Sequence, residues 1–264
     1  MLASIQFNWS RFRNLLSYGL LLNYKLGIYS VVSFLGISML FMFFIQLTNE
    51  YRSLDLESFL ILFSVMYVGF GVLFSGTSFS NLRIKEKTIS YLMLPASVFE
   101  KFLYEFLTKV MLFLVAMPIL YFLSYYVEGY LFDALSRSFV FTPIDLDELA
   151  KVYLTPGASS GVAAQVFIHL VAIGILIIPF TGSVTFTKYP IVKTLFSCVT
   201  VVFFFVIYTY LIVEELGLNK FRIKESLLIP TSEVSAFRFF LVGAVIFNLT
   251  LIIVAFLKLK EREV

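Results

Sequence analysis

Residues 194–213 read TLFSCVTVVFFFVIYTYLIV, a run of twenty positions without one charged side chain. A helix of about 20 apolar residues is long enough to cross a hydrocarbon core about 30 Å thick. A chain in lipid must satisfy its own backbone hydrogen bonds, and an unbroken run of this length does so as an α-helix. The stretch therefore predicts a transmembrane helix.

Five further runs have the same character, and together they predict an all-α membrane protein with six transmembrane helices. They are Ile28–Leu47, Ser58–Ser80, Val110–Val127, Gly161–Thr187 and Ala236–Leu257. The third of these extends back to Val98 through four charged residues, and the last contains one, Arg238. Of the 264 residues, 60% are hydrophobic and 14% are charged, against about 25% charged in an ordinary soluble domain. This composition excludes a soluble globular protein. Residues 28–257 are expected to form a single transmembrane domain.

The distribution of lysine and arginine predicts the orientation of the chain. Twelve of these residues lie before the first run, in the second and fourth connections and in the tail 258–264. Six lie in the other three connections. Since cytoplasmic connections carry the excess of Lys and Arg, both termini are predicted to be cytoplasmic, and segments 128–160 and 214–235 are predicted to be external helical loops.

Residues 1–27 are predicted to form an amphipathic helix in the cytoplasmic interface of the membrane. Ile5, Trp9, Phe12 and Leu16 recur at helical spacing, with polar residues on the opposite side. A helix of this kind lies in the plane of the bilayer with its apolar face in the headgroup region. The lipid bilayer is thus an expected partner of this segment.

Segment 81–97, NLRIKEKTISYLMLPAS, is the most distinctive connection in the chain. It begins with basic residues and ends with the apolar group Tyr91–Leu94 before Pro95. Apolar residues in a polar cytoplasmic connection need a surface that buries them, and either a partner protein or the helix bundle itself can supply it. Ser97 and Glu100 have the spacing of a capping box, which predicts that the third membrane helix begins near Val98.

Several classes of chemistry are missing from the sequence. It has no G-x-x-x-x-G-K-[ST] phosphate loop, one His and one Cys, so nucleotide hydrolysis through that loop and a His/Cys metal site are both unexpected. The net charge of +3 is too small to indicate a nucleic-acid partner. We expect no enzyme activity, no metal site and no cofactor in this chain.

Polar residues within the apolar runs are candidates for a substrate pathway, because their burial in lipid is unfavourable. The candidates are His169, Glu105, Lys109 and Asn248. Each has a structural alternative. His169 is able to bond a neighbouring carbonyl, Glu105 and Lys109 to form a self-neutralising stripe with Lys101, and Asn248 to bridge two helices.

The stretch from Phe79 to Phe102 resembles the coupling segment of ABC-2-type permeases, the membrane subunits of ATP-binding-cassette exporters. The run Leu94-Pro-Ala-Ser-Val-Phe-Glu-Lys101 is similar to the L-P-A-S-x-x-E-K motif of Bacteroidetes-type members, in which the loop docks on the ATPase subunit. The resemblance implies a permease subunit in the bacterial cytoplasmic (inner) membrane that pairs with itself or a homologue. ATP and Mg²⁺ would bind a separate ATPase chain. The implied docking residues are Leu82, Arg83, Lys85, Glu86, Lys87, Tyr91, Leu92, Leu94 and Pro95.

Two other functions remain open. A secondary transporter should show internal inverted repeats and charged sites at broken helices, and neither is visible in the sequence. The second is a membrane scaffold or immunity subunit that transports nothing. Such a protein requires only the six spans, so it is compatible with this sequence.

Overall fold

A computed structural model describes residues 7–48, 54–83, 85–135, 140–145, 147, 161–211 and 233–263. These residues form helices and short connections, with no strand among them. The helices are α1 (Trp9–Thr48), α2 (Leu56–Gly76), α3 (Lys85–Leu92), α4 (Val98–Phe106), α5 (Leu112–Leu135), α6 (Gly161–Thr185), α7 (Pro190–Tyr210) and α8 (Glu233–Glu263). Six spans are long and apolar enough to cross a membrane, with α4 and α5 forming one of them. The prediction of six membrane helices is confirmed.

Helix α1 runs from Trp9 to Thr48 without a break, so the structure has no boundary between the predicted interface helix 1–27 and the first span. No proline interrupts these 40 residues, and a helix of that length is about 60 Å long, twice the thickness of the hydrocarbon. Its first turns pack on α4, because Phe12 and Leu15 form a small apolar cluster with Tyr104. The predicted apolar face is thus partly covered by the chain itself.

A tight connection joins α2 to α3. It contains a turn at residues 77–79 and a 3-10 helix over Ser80–Arg83. Phe79 has a φ of 52°, a left-handed conformation that is uncommon for a bulky residue. Its side chain is fully buried and its ring centroid lies 5.3 Å from that of Phe180 on α6. Packing of the Phe79 ring therefore holds this turn against the bundle.

The third span is one 38-residue helical stretch, Val98–Leu135. Ser97 and Glu100 form the predicted capping box at its start, with both reciprocal hydrogen bonds present. A π-helical turn at Leu107–Met111 separates α4 from α5, and Pro118 lies inside α5. Because α5 continues to Leu135, the first residues of the predicted external segment 128–160 are helical.

Helix α6 lies at the centre of the second half of the bundle. The Tyr67 hydroxyl on α2 donates to the carbonyl of Ala172, and the Thr181 hydroxyl donates to the carbonyl of Leu251 on α8. Helix α7 is peripheral, with Pro190 and Thr194 its only buried residues. The predicted tail 258–264 is, up to Glu263, the last part of α8.

Segment 140–145 returns to the end of α5. The ring of Phe141 packs on the rings of Tyr125 and Tyr130, and the backbone N–H of Ile144 donates to the Tyr125 hydroxyl over 3.1 Å. Residues 136–139, 146 and 148–160 of the predicted external loop 128–160 lie outside the described residues, as does loop 214–235 up to residue 232.

Candidate functional site

The connection out of α2 is held by Arg83, one of the implied docking residues. Its Nη2 donates to the carbonyls of Gly76 and Ser78 over 2.6 and 3.1 Å. These contacts satisfy carbonyl groups at the end of α2 that have no partner within the helix. Burial lowers the pKa of the Arg83 guanidinium, and the nearby Glu105 carboxylate acts in the opposite direction. Arg83 therefore fixes the start of segment 81–97 to the bundle.

The apolar residues of segment 81–97 divide between an inner and an outer face. Leu82 and Tyr91 are buried and belong to the main core, and Leu94 is half-buried against it. Of the two surfaces considered for Tyr91–Leu94, a partner protein and the helix bundle, the bundle is the one that buries Tyr91. A helix places Tyr91 about 200° from Ile89 around its axis, so these side chains take opposite faces. From the sequence alone, a partner protein was an equally good candidate for burying this side chain.

The outer face of this segment, which we call the exposed face, consists of Ile89 and Met93. They are one helical turn apart and 53% and 79% exposed. Glu86 and Pro95 are also exposed beside them. The backbone of Lys85, Lys87 and Leu92 lies in α3, and the description does not extend to their side chains. Of the predicted docking residues with described side chains, Glu86 and Pro95 are thus the ones accessible to a partner.

Glu100 connects three parts of the chain at the start of α4. Its Oε2 accepts the backbone N–H of Ser97 over 2.8 Å, completing the capping box. Its Oε1 accepts the backbone N–H of Asn8 over 2.7 Å and Nη2 of Arg11 over 3.3 Å. The Glu100 side chain is fully buried. We call Asn8, Arg11, Ser97 and Glu100 the Glu100 junction. The capping-box spacing predicted the contact between Ser97 and Glu100. It did not predict the contacts of Asn8 and Arg11 with Glu100, because these residues are far apart in the sequence.

The predicted stripe Lys101, Glu105 and Lys109 lies where α4 meets α2 and the connection after it. Lys101 and Glu105 are buried, and Lys109 is half-buried. The Lys109 ammonium lies 4.7 Å from the ring centroid of Phe74, and the backbone N–H of Phe79 donates to the Glu105 carboxylate. Glu105 interacts electrostatically with both Lys109 and Arg83. This arrangement supports the structural alternative, in which the charges of the stripe neutralise one another.

The other two pathway candidates lie on α6 and α8. His169 is exposed on α6, with Nδ1 2.8 Å from the carbonyl of Gln165. Asn248 is buried on α8, and its Nδ2 donates to the carbonyls of Leu170 and Ala244. Asn248 therefore bridges two helices, as the structural alternative proposed. The contacts of these residues do not overlap with those of Glu105 and Lys109, so the four candidates do not form one site.

A groove of about 510 Å³ lies between α6 and α8, and it is lined by none of these candidates. Its walls are apolar, with Phe167 on α6 facing Phe240, Gly243 and Phe247 on α8. The lining residues carry no charged side chain, so this groove offers no group for the recognition of a polar substrate.

Sequence reasoning missed two polar contacts between α1 and α5. The hydroxyl of Ser38 donates to that of Ser124 over 2.7 Å, and Nε2 of Gln46 donates to Oε2 of Glu128 over 3.0 Å. A signal was present, since Ser38 and Gln46 are eight residues apart in one apolar run and Ser124 and Glu128 are four apart. Both spacings place polar residues on one face of a helix. Because Glu128 was assigned to an external loop, it was not considered as a partner for a polar residue of α1.

No family model, curated protein or solved structure matches this chain. In the part of the chain that the structure describes, no three His, Cys, Asp or Glu side chains are placed to hold a metal ion together. The Glu100 junction, the exposed face and the resemblance of segment 79–102 are therefore the features from which we infer a function.

Proposed function

We propose that this chain is the permease subunit of an ATP-binding-cassette exporter. In this proposal, ATP and Mg²⁺ bind a separate ATPase subunit that docks on segment 81–97. The chain lies in the cytoplasmic (inner) membrane of a bacterium with both termini in the cytoplasm, and it pairs with itself or with a homologous permease. The six spans, and the absence of a phosphate loop from the sequence, are compatible with a membrane subunit whose ATPase is a separate chain.

The single observation that carries the proposal is the Glu100 junction. A docking segment is useful to a transporter only if its displacement reaches the membrane helices. Glu100 bonds the last residue of the segment, Ser97, and the chain before α1, at Asn8, while it belongs to α4 itself. A displacement of segment 81–97 would therefore move α1 and the third span together.

The exposed face supplies a surface for docking. Ile89 and Met93 stand out from the segment, while Leu82 and Tyr91 anchor it to the core. Burying one large apolar side chain contributes about 1.5–3 kcal/mol, so two of them contribute enough for a specific contact. The docking set of this proposal is Ile89 and Met93 with Glu86 and Pro95. Lys85, Lys87 and Leu92 join it through the resemblance alone.

A second permease copy would complete the substrate pathway. The buried polar groups Asn248 and Glu105 bond within the chain, and among the described residues the four pathway candidates do not form one site. A pathway between two subunits on a two-fold axis removes this difficulty. His169, which is exposed on α6, is then a candidate for the interface.

Co-purification tests the docking proposal. The chain is expressed with the phosphate-loop ATPase encoded in a neighbouring reading frame, and the ATPase retained per permease is measured in detergent. The double variant Ile89→Asp and Met93→Asp should retain at least tenfold less ATPase, since 1.4 kcal/mol corresponds to a factor of ten. Both side chains are exposed, so the yield of the permease should not change.

Tyr189→Asp is the matched control. Tyr189 is an exposed residue in the other connection predicted to be cytoplasmic, and it has a φ of 51°, which Asp tolerates. This variant should retain the ATPase. If the double variant binds as much ATPase as the unaltered chain, the exposed face is not the docking surface. If no ATPase accompanies the unaltered chain, the permease proposal itself fails.

A further inference from the structure

The contact between Gln46 on α1 and Glu128 on α5 is incomplete. Nε2 of Gln46 donates to Oε2 of Glu128 over 3.0 Å. The other two oxygens, Oε1 of each side chain, are buried and have no hydrogen-bond partner. Gln46 is completely buried and Glu128 is 4% exposed, so water does not reach these atoms from the protein surface. Buried polar atoms normally have a partner, and here two such atoms belong to the same contact.

The surroundings of Glu128 offer no positive charge in the described part of the chain. Gln46 is the polar group that faces it from α1, and the return segment 140–145 contributes Phe141 and Ile144 to this end of α5. The titratable neighbour is the Tyr125 phenol on α5 itself, which interacts electrostatically with Glu128 and accepts the N–H of Ile144. A buried carboxylate without a cation is strongly disfavoured relative to the neutral acid.

We propose that Glu128 is a proton-binding site and that the bound proton closes a cyclic acid–amide pair with Gln46. The proton comes from solvent and resides on Oε1 of Glu128, from which it donates to Oε1 of Gln46. The existing bond from Nε2 of Gln46 to Oε2 of Glu128 forms the other half of the ring. One proton thus satisfies both unpartnered oxygens and removes the buried charge. Two buried oxygens are too few for Mg²⁺ or Ca²⁺, which require about six ligands.

The pair makes the packing of α1 on α5 depend on protonation. Loss of the proton leaves a buried carboxylate and turns its Oε1 into a second acceptor facing the acceptor Oε1 of Gln46. The Ser38–Ser124 contact, two turns away along α1, has no titratable group and should persist. Deprotonation therefore loosens one end of the α1–α5 contact. This inference does not depend on the proposed transport function.

Infrared difference spectroscopy of the full chain in lipid vesicles tests the proposal. At neutral pH the unaltered protein should show the C=O stretch of a protonated carboxylic acid, shifted in D₂O, and Glu128→Gln should lack it. This variant is isosteric and retains an amide–amide pair with Gln46. Glu57→Gln, at an exposed glutamate in the first turn of α2, is the matched control and should leave the band unchanged.

Gln46→Leu provides a second measurement that keeps Glu128 in place. The acid band should move to higher frequency because its hydrogen-bond partner is gone. In the unaltered protein the band should weaken, and the thermal unfolding midpoint should fall, as the pH rises and Glu128 ionises. A spectrum with only carboxylate bands at neutral pH, or an acid band that neither Glu128→Gln nor Gln46→Leu alters, would overturn the proposal.

Discussion

The backbone N–H of Asn8 donates a 2.7 Å hydrogen bond to Oε1 of Glu100, across 92 positions of sequence. The same carboxylate caps its own helix through Ser97. One buried side chain thus determines where α1 begins relative to the third span. In the proposed permease this contact is the link between the docking segment and the membrane helices.

Replacing Glu100 with Gln should destabilise the protein. The amide offers one acceptor oxygen and turns its NH₂ group towards one of the two backbone N–H donors, that of Asn8 or that of Ser97. Leaving a buried donor unsatisfied costs about 1–3 kcal/mol, so the thermal unfolding midpoint in detergent should fall clearly. Glu261→Gln is the matched control, since that carboxylate pairs with Lys258 on the surface and exposed ion pairs contribute little. Equal midpoints for the two variants would contradict the role of Glu100.

The hydroxyl contact between Ser38 and Ser124 should be measurable as a coupling energy. Ser124 also donates to the carbonyl of Leu120, so Ser124→Ala removes two hydrogen bonds, and the double-mutant cycle isolates the one that it shares with Ser38. Hydrogen bonds between membrane helices average about 0.6 kcal/mol in double-mutant cycles, with a maximum near 1.7. We expect a coupling in this range for Ser38→Ala and Ser124→Ala, measured by reversible unfolding in mixed micelles. Strict additivity of the two changes would argue against the contact.

Gly182→Ala should disrupt the approach of α6 to α7. A Cβ at this position would lie 2.8 Å from Cβ of Thr194 and closer still to its Oγ1. Rotation of the Thr194 side chain does not move its Cβ, so the helices must separate, at a cost of about 1–3 kcal/mol. Gly69→Ala in α2 meets nothing within 4 Å and should be neutral or slightly stabilising, because Ala favours the helix by about 1 kcal/mol. Thermal unfolding of the two variants compares them directly, and a stable Gly182→Ala protein would contradict this packing.

The charge distribution predicts the direction of insertion. In a Cys198→Ala background, Asp145→Cys should react with an impermeant maleimide in intact cells. Met93→Cys and Tyr189→Cys should react only after permeabilisation. All three positions are exposed, so accessibility depends on the side of the membrane. The reverse pattern would invert the topology.

The sequence predicted the local features of the fold well. Apolar runs and the capping box at Ser97 and Glu100 depend on neighbouring residues, and the six spans and the start of α4 were confirmed. Segment 81–97 was harder, because its single apolar group contains residues of both faces. Tyr91 turns into the core while Met93 points outward, and composition does not distinguish them.

The contacts missed by the sequence all join distant helices. Gln46 with Glu128, and Asn8 with Glu100, require the relative placement of α1 and the third span, which periodicity does not encode. Asn248 was correctly weighed as a bridge because a lone amide in an apolar run must find a partner. Orientation, partners and transport are properties of the assembled system in its membrane, and they remain predictions from charge and resemblance.

Site-specific photo-cross-linking tests whether the exposed face docks on an ATPase subunit. A photoreactive amino acid is placed at residue 93 or at residue 145, and the chain is expressed in cells with the neighbouring phosphate-loop ATPase. If the ATPase docks there, position 93 should cross-link to it and position 145 should not. Mass spectrometry of the adduct identifies the partner. No adduct at position 93, or equal adducts at both positions, would contradict it.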